Sequence, residues 1–486
     1  MGGGVAPVKT VDLTEGPRPS SHQAAKPKEP SHGYPEPFMA RLKHSNSKDD
    51  IVKSERFSTH VAWTFATRLV MIVSSVGASV IVARWLGAEG VGALAVLNVT
   101  VALALQIGSA GLPSANTYFI ARDKSSVASV WANALTFGIV MGTALALGVI
   151  LLSRLKPSLF GNIPIALIGI AAISIPFQLV SLLGLNVFLG MNRIVHFNVL
   201  DAGAQSFGLI NAALALIVIS AGLRLLVSLN TIVSILMGLL VVWMIWRMLK
   251  GISSGVRFRP DVQLFKSMAR YGIKFHISVV AAMLIFRVDL LIVNHFRGAT
   301  EAGVYAVASQ VGMMLMLLPS VISTLLFPRI ASEPDVRGEF AMRATRHTAF
   351  VMSIICLIAA PVSLALPLIY GAPFKDVPLQ FFMLLPGIYL ISIESVLVQH
   401  FSSLGLPVAI PIFWLVTLTA NVALNLIFVP TFGARSAAAI STISYALIFV
   451  LVALYFRNKT RNRFSDILIL SADEFRQIFA AKAKFN

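Results

Sequence analysis

Val82-Ala-Arg-Trp-Leu-Gly-Ala-Glu-Gly-Val-Gly-Ala-Leu-Ala-Val96 occurs a second time, 211 residues further on and without a gap, as Val293-Asn-His-Phe-Arg-Gly-Ala-Thr-Glu-Ala-Gly-Val-Tyr-Ala-Val307. Val82, Gly87, Ala88, Gly92, Ala95 and Val96 return unchanged as Val293, Gly298, Ala299, Gly303, Ala306 and Val307. Each copy is a short glycine-rich stretch between apolar segments. Glycine reaches positive φ and lets backbones approach closely, so the paired glycines suit a tight reversal followed by close packing. The repeat marks the chain as an internal duplication.

The composition around the repeat sets the class. The 486 residues are 57% hydrophobic and only 12% charged, and the mean hydropathy is +0.81. Soluble domains are about one quarter charged, and half of that leaves too little polar surface for a water-soluble body of this size. The apolar residues fall in runs of about twenty, enough to cross a ~30 Å hydrocarbon layer as helices, and they lack the dyad alternation of a β-barrel. The expected fold is all-α, a polytopic membrane protein. The net charge of +18 does not point to nucleic acid, because the basic residues collect in tails and loops, where cytoplasmic retention accounts for them. The single cysteine, Cys356, excludes an intramolecular disulfide and a cysteine metal cluster.

Residues 1–56 are rich in Gly, Pro, Lys and Ser and read as a disordered cytoplasmic tail that lacks a cleavable signal sequence. Twelve spans follow, from 60–83 to 435–456. They divide into a six-helix lobe at 57–247, a basic cytoplasmic linker at 248–269 and a second six-helix lobe at 270–456. The basic tail 457–486 ends in a short amphipathic helix, for which Ser471-Ala-Asp-Glu474 resembles a capping box. Pro113, Pro157, Pro328 and Pro430 mark span ends, whereas Pro176, Pro319, Pro361 and Pro386 fall inside spans. The excess of Lys and Arg on one side predicts both termini inside. Six spans per half give two parallel lobes with a cleft between them, and both copies of the glycine turn on the outer face.

An ionisable residue at membrane depth is a functional candidate, because insertion costs at least ~2.5 kcal/mol. Arg68 lies in the first span, Arg287 and Asp289 in the seventh and Glu394 in the tenth. Two arginines from the first span of each half would form a pyrophosphate site in a shared cleft, since a guanidinium keeps its charge and contacts phosphate bidentately. Alternatively, Arg68 snorkels to the inner headgroups. The offset does not relate the two, since it maps Arg68 onto Val279 and Arg287 onto Val76. Asp289 is either a buried structural carboxylate or part of coupling, and Glu394 either a coupling carboxylate or the partner of an arginine. Asp201, Gln205, Asn211 and Asn186 either line the cleft or hydrogen-bond between helices, and His276 is a packed polar residue.

Nucleotide loops and HExxH or Cys/His metal sites are absent from the sequence, and apart from the tails and the 247–270 connection no loop is large enough for a catalytic domain. A non-enzymatic transporter with no cofactor and no metal is expected. Drug/cation antiport, flipping of a peptidoglycan precursor and membrane glycosyl transfer or polymerisation are the rival readings.

Three stretches carry a family resemblance. They are Arg84-Trp-Leu-Gly-Ala-Glu-Gly-Val-Gly92; Tyr271-Gly-Ile through Arg287-Val-Asp289 and Gly303-Val-Tyr-Ala306 to Phe327-Pro-Arg-Ile330; and Leu404-Gly405, Asn421, Asn425, Val429-Pro-Thr-Phe-Gly-Ala434 and Ala437-Ala-Ala-Ile440. Together they resemble the polysaccharide transporter (Wzx-type flippase) family of the multidrug/oligosaccharidyl-lipid/polysaccharide (MOP) exporter superfamily over residues 57–456. The last run departs from that pattern, with Ala-Arg-Ser-Ala-Ala where another Gly is usual. The resemblance implies a MATE-like fold in a bacterial inner membrane and export of undecaprenyl-pyrophosphate-linked oligosaccharide for O-antigen, capsule or exopolysaccharide. It also implies alternating access coupled to H+ or Na+, with polysaccharide polymerase machinery as a partner.

Overall fold

Hydrocarbon offers peptide groups no hydrogen-bond partner, so long apolar runs satisfy their backbone within helices. A computed structural model describes residues 47–251, 258–320, 322, 335, 338–403 and 407–462, and these contain helices and turns but no strand. The chain divides into two units, Met1–Phe57 and Ser58–Asn486. The predicted C-terminal amphipathic helix and most of the N-terminal tail lie outside the described residues.

The helices are α1 Ser47–Gly108, α2 Leu112–Arg122, α3 Val127–Leu155, α4 Ile165–Gly190, α5 Ile194–Ala212, α6 Gly222–Lys250 and α7 Val262–Met314. They continue as α8 Glu339–Ser363, α9 Leu366–Tyr370, α10 Val377–Ser403, α11 Ala409–Phe432 and α12 Ala434–Thr460. Helix begins at Ser47, inside the stretch expected to be disordered. The last proline of the tail is Pro37, and Asp49 and Asp50 suit the first turn of a helix. Pro430 also lies inside α11, which runs on to Phe432 before Gly433 ends it.

Among the described residues, ten helices are long and apolar enough to cross a membrane. Two of them, Thr67–Gly108 and His276–Met314, are each broken once, so ten helices carry the twelve spans read from the sequence. The breaks are Gly87 (φ 65°, ψ −169°) and Gly298 (φ 83°, ψ 173°), the equivalent first glycines of the two copies. At each break the chain folds back. Asp289 and Tyr305 are hydrogen-bonded, although a straight helix would hold them about 24 Å apart.

The offset of the repeat orders the whole chain. Moving α3, α4, α5 and α6 on by 211 residues brings them onto α8, α10, α11 and α12, and Gly222 onto Gly433, with positive φ at both. Among the described residues, α5 continues into a π-helical stretch, Ala213–Val218, that has no counterpart in α11.

The second glycines do more than the sequence suggests. The close packing expected of them joins the two copies, each packing on the other. A Cβ at Gly92 would lie 1.8 Å from the carbonyl oxygen of Ala299, and one at Gly303 would lie 1.9 Å from that of Ala88. Since Ala88 and Ala299 are themselves equivalent, the packing is pseudo-symmetric. A second equivalent pair flanks it. Arg84 donates from Nε to the carbonyl of Ile369 at 2.7 Å and also to that of Leu368, and His295 pairs its Nδ1 with the carbonyl of Ser158 at 2.7 Å. Ser158 and Ile369 are again 211 residues apart. The two halves therefore clasp each other at the end that carries the repeat.

The connection between halves is shorter than its composition suggests. Helix α6 reaches Lys250, and α7 starts at Val262, where Asp261 accepts from the backbone of Gln263 and Leu264. Asn133 of α3 pairs reciprocally with the backbone of Asp261 at 2.9 Å. Leu264, Phe265 and Met268 join an apolar cluster of the first half, so the start of α7 is anchored there.

Candidate functional site

Two adjoining cavities lie where the halves meet. The larger, of about 610 Å³, is bordered mainly by α1, α4, α5 and α6, with Ala306 and Gln310 of α7. The smaller, of about 320 Å³, lies between the arms of α1 and α7 and is bordered by Arg287, Asp289, Tyr305 and Ser309. Ser75, Ala95, Asn98, Ala306 and Gln310 border both. Gln310 ties the halves together across this line. Its amide oxygen accepts from Ser79 at 3.0 Å, and its nitrogen donates to Ser75 at 3.2 Å.

Arg287 and Asp289 are close in sequence but stand differently. Asp289 is buried and accepts from the hydroxyls of Tyr305 and Ser441 (2.8 Å) and from the Leu290 backbone at 2.7 Å. Arg287 is half-buried on the cavity and forms no hydrogen bond or ion pair among the described residues. Replacing Asp289 with Ala would leave the buried hydroxyls of Tyr305 and Ser441 with only each other, 3.2 Å apart, so one donor loses its acceptor at about 1–3 kcal/mol. The expected result is a lowered midpoint of thermal unfolding in detergent for Asp289→Ala and a smaller drop for Asp289→Asn.

The other sequence candidates are elsewhere. Arg68 is about half-exposed and pairs with Asp201 of α5 at 3.6 Å. It borders neither cavity, so the structure does not bring it to Arg287. Glu394 is buried in α10, borders neither cavity, and its Oε1 has no hydrogen-bond partner among the described residues. Gln205 and Asn211 line the larger cavity, whereas Asn186 accepts from Thr117 and donates to the Leu182 carbonyl. His276 is buried against the carbonyl of Ile107 at 3.3 Å.

Sequence reasoning passes over Asn98, Gln178, Asn230 and Gln310. Uncharged amides in a span do not stand out one at a time. Comparison across the offset would have marked Gln178, whose equivalent is Tyr389, but not Asn98 and Asn230, which correspond to Ser309 and Ser441.

A family model described as "Polysaccharide biosynthesis protein" matches residues 59–333, more than half of the chain. The chain belongs to this family. Two curated relatives come from Haloferax volcanii. "Probable flippase AglR" is 26% identical over 191 residues, 37% of this chain and 39% of the relative. "Probable low-salt glycan biosynthesis flippase Agl15" is 21% identical over 230 residues, 46% of this chain and 48% of the relative. The chain thus matches less than half the length of either. Among solved structures, the fold is similar to "Lipid II flippase MurJ, inward closed conformation", with a TM-score of 0.69 and 15% identity over 88% of this chain and 92% of that one. It is also similar to an inward-facing multidrug resistance MATE family transporter of the MOP superfamily, with a TM-score of 0.65 and 15% identity over 80% and 94% of the two chains. This member of the polysaccharide biosynthesis family is therefore a multi-pass membrane protein with the MurJ/MATE-like fold expected from its motifs.

Proposed function

We propose that the protein is a flippase that carries a polyprenyl-pyrophosphate-linked oligosaccharide across the plasma membrane, in a bacterium the inner membrane, for surface polysaccharide assembly. The observation that carries this reading is Arg287, a permanent cation facing a cavity between two pseudo-symmetric halves, with no hydrogen bond or ion pair among the described residues and only a through-space attraction to Asp289, whose carboxylate is taken up by Tyr305 and Ser441. A guanidinium in such a place needs an anion, and a pyrophosphate supplies one at a bidentate geometry. The polyprenyl tail stays in lipid. Arg68, already paired with Asp201, holds α1 to α5 in this state, and Arg287 provides the phosphate contact.

Alternating access follows from the clasp of Gly92 and Gly303, reinforced by Arg84 and His295. Breaking the clasp opens the cleft at the outer end, and an H+ or Na+ gradient drives the cycle through the buried carboxylates Asp289 and Glu394. Each clasp hydrogen bond is exposed and contributes about 0.5–1.5 kcal/mol. Arg84→Ala or His295→Ala alone is expected to change little. Together, they raise outside labelling of an Asn98→Cys probe, in a Cys356→Ala background, by about 5–30-fold, as a 1–2 kcal/mol shift implies.

The test of the function is deletion of the gene followed by analysis of lipid-linked intermediates. Accumulation of one complete repeat unit on the inner leaflet supports the flippase reading. Unchanged lipid intermediates together with drug hypersensitivity would point to antiport instead.

A further inference from the structure

The larger cavity has a chemistry of its own. Six carboxamides border it, Asn98, Gln178, Gln205, Asn211, Asn230 and Gln310, and no charged side chain among the described residues does. Asn98 and Gln205 are exposed to it and form no hydrogen bond with the described residues. Asn211 donates to Asn230 at 2.8 Å and Gln178 to Ser234 at 3.3 Å, which leaves the carbonyl oxygens of Asn211 and Gln178 and the amide nitrogen of Asn230 for a ligand. Each amide combines two donors with an acceptor oxygen, a set that matches vicinal hydroxyls. Leu182, Leu185 and Leu226 supply apolar wall between them, suited to the C–H faces of a sugar ring.

This polarity is not a requirement of the fold, because the duplication contains its own control. At the positions equivalent to Gln178, Gln205 and Asn211, the second half carries Tyr389, Val416 and Val422, and opposite Ser79 and Ser234 it carries Leu290 and Tyr445. The carboxamides at 178, 205 and 211 therefore belong to one half, whereas Asn98 and Asn230 correspond to the hydroxyls of Ser309 and Ser441. At about 610 Å³, the cavity has the capacity of a ligand site, since such sites span ~300–1,000 Å³.

We propose that the first-half cavity is a glycan subsite selective for uncharged sugars, seating the saccharide beside the pyrophosphate held at Arg287. The proposal rests on the flippase reading. The two cavities share Ser75, Asn98 and Gln310, which places the sugars next to the phosphates. Amides satisfy hydroxyls and N-acetyl groups, whereas a uronic or sialic acid carboxylate would enter a site with no cation of its own. Selectivity therefore comes from charge that is absent, and the polysaccharide built from this substrate has a neutral sugar near its lipid end.

The test uses the full-length chain in lipid nanodiscs and three probes. These are polyprenyl pyrophosphate without a glycan, the same lipid carrying a neutral disaccharide, and the same lipid carrying a disaccharide with one uronic acid. The neutral glycan is expected to tighten binding about tenfold or more over the bare lipid, and the acidic one to give no gain. Q205A combined with N230A should bring the ratio of neutral-glycan to bare-lipid affinity close to one. Gln205→Lys, at an exposed position, should create a gain for the acidic probe, a result that misfolding cannot mimic. Equal gains from neutral and acidic glycans, no gain from either, or no response of the acidic probe to Gln205→Lys would overturn the subsite and leave the flippase reading standing. Failure of all three probes to bind would remove both.

Discussion

Arg287→Ala is expected to abolish polymer export while the protein accumulates in the membrane at its normal level. The side chain is half-buried, faces a cavity and has no hydrogen bond or ion pair among the described residues. Its loss should therefore leave stability nearly unchanged and act on substrate alone. A charged hydrogen bond contributes about 1.5–3 kcal/mol, so loss of a bidentate interaction corresponds to a fall of at least about a hundredfold in transport. Arg287→Lys keeps the charge but not the planar fork and should recover only part of the activity. The measurement is surface polymer against protein level in a deletion strain complemented with each variant. Full export by Arg287→Ala at normal expression contradicts the phosphate role.

Gly92→Leu and Gly303→Leu should each stop transport by a different route. The side chain would have to enter space occupied by a backbone carbonyl, 1.8 Å from the Cβ in one case and 1.9 Å in the other. Backbone is costly to displace, and overpacking of this kind costs about 1–3 kcal/mol or more. The clasp between the halves gives way first, so the chain should remain folded with its outer end unable to close. Outside labelling of the Asn98→Cys probe should then be high, without response to substrate, and export should fall by about tenfold or more. Because the packing is pseudo-symmetric, the two variants should match. A defect at Gly92 with none at Gly303 would refute the symmetric clasp.

The broad fold is legible in the sequence because hydrophobic runs and a gapless repeat are long-range signals. Gly87 and Gly298 are readable as reversals, since few residues other than glycine occupy positive φ. The partner of each element is not readable in the same way. Gly92 and Gly303 carry the mark of close packing in the sequence, but nothing in that mark says whether the partner is in the same half or the other. The same gap explains the site. Arg68 and Arg287 look alike as buried cations, yet Asp201, 133 residues from Arg68, claims one and leaves the other facing the cavity. Tyr305 and Ser441, which hold Asp289, lie 16 and 152 residues away. The amides of the larger cavity are each unremarkable, and only their convergence on one surface gives them a role. The start of α7 reads as linker because it is basic, although Leu264, Phe265 and Met268 bury an apolar face against the first half.

The central claim is translocation of a lipid-linked oligosaccharide, and reconstitution tests it most directly. Purified protein in sealed liposomes, supplied with a labelled polyprenyl-pyrophosphate disaccharide in one leaflet, is assayed for exposure of the label to an impermeant sugar-modifying enzyme on the other side. Wild-type protein should move the lipid across under an imposed H+ or Na+ gradient, and Arg287→Ala should not. Label that stays in its original leaflet under either gradient, with correctly folded and inserted wild-type protein, would contradict the account.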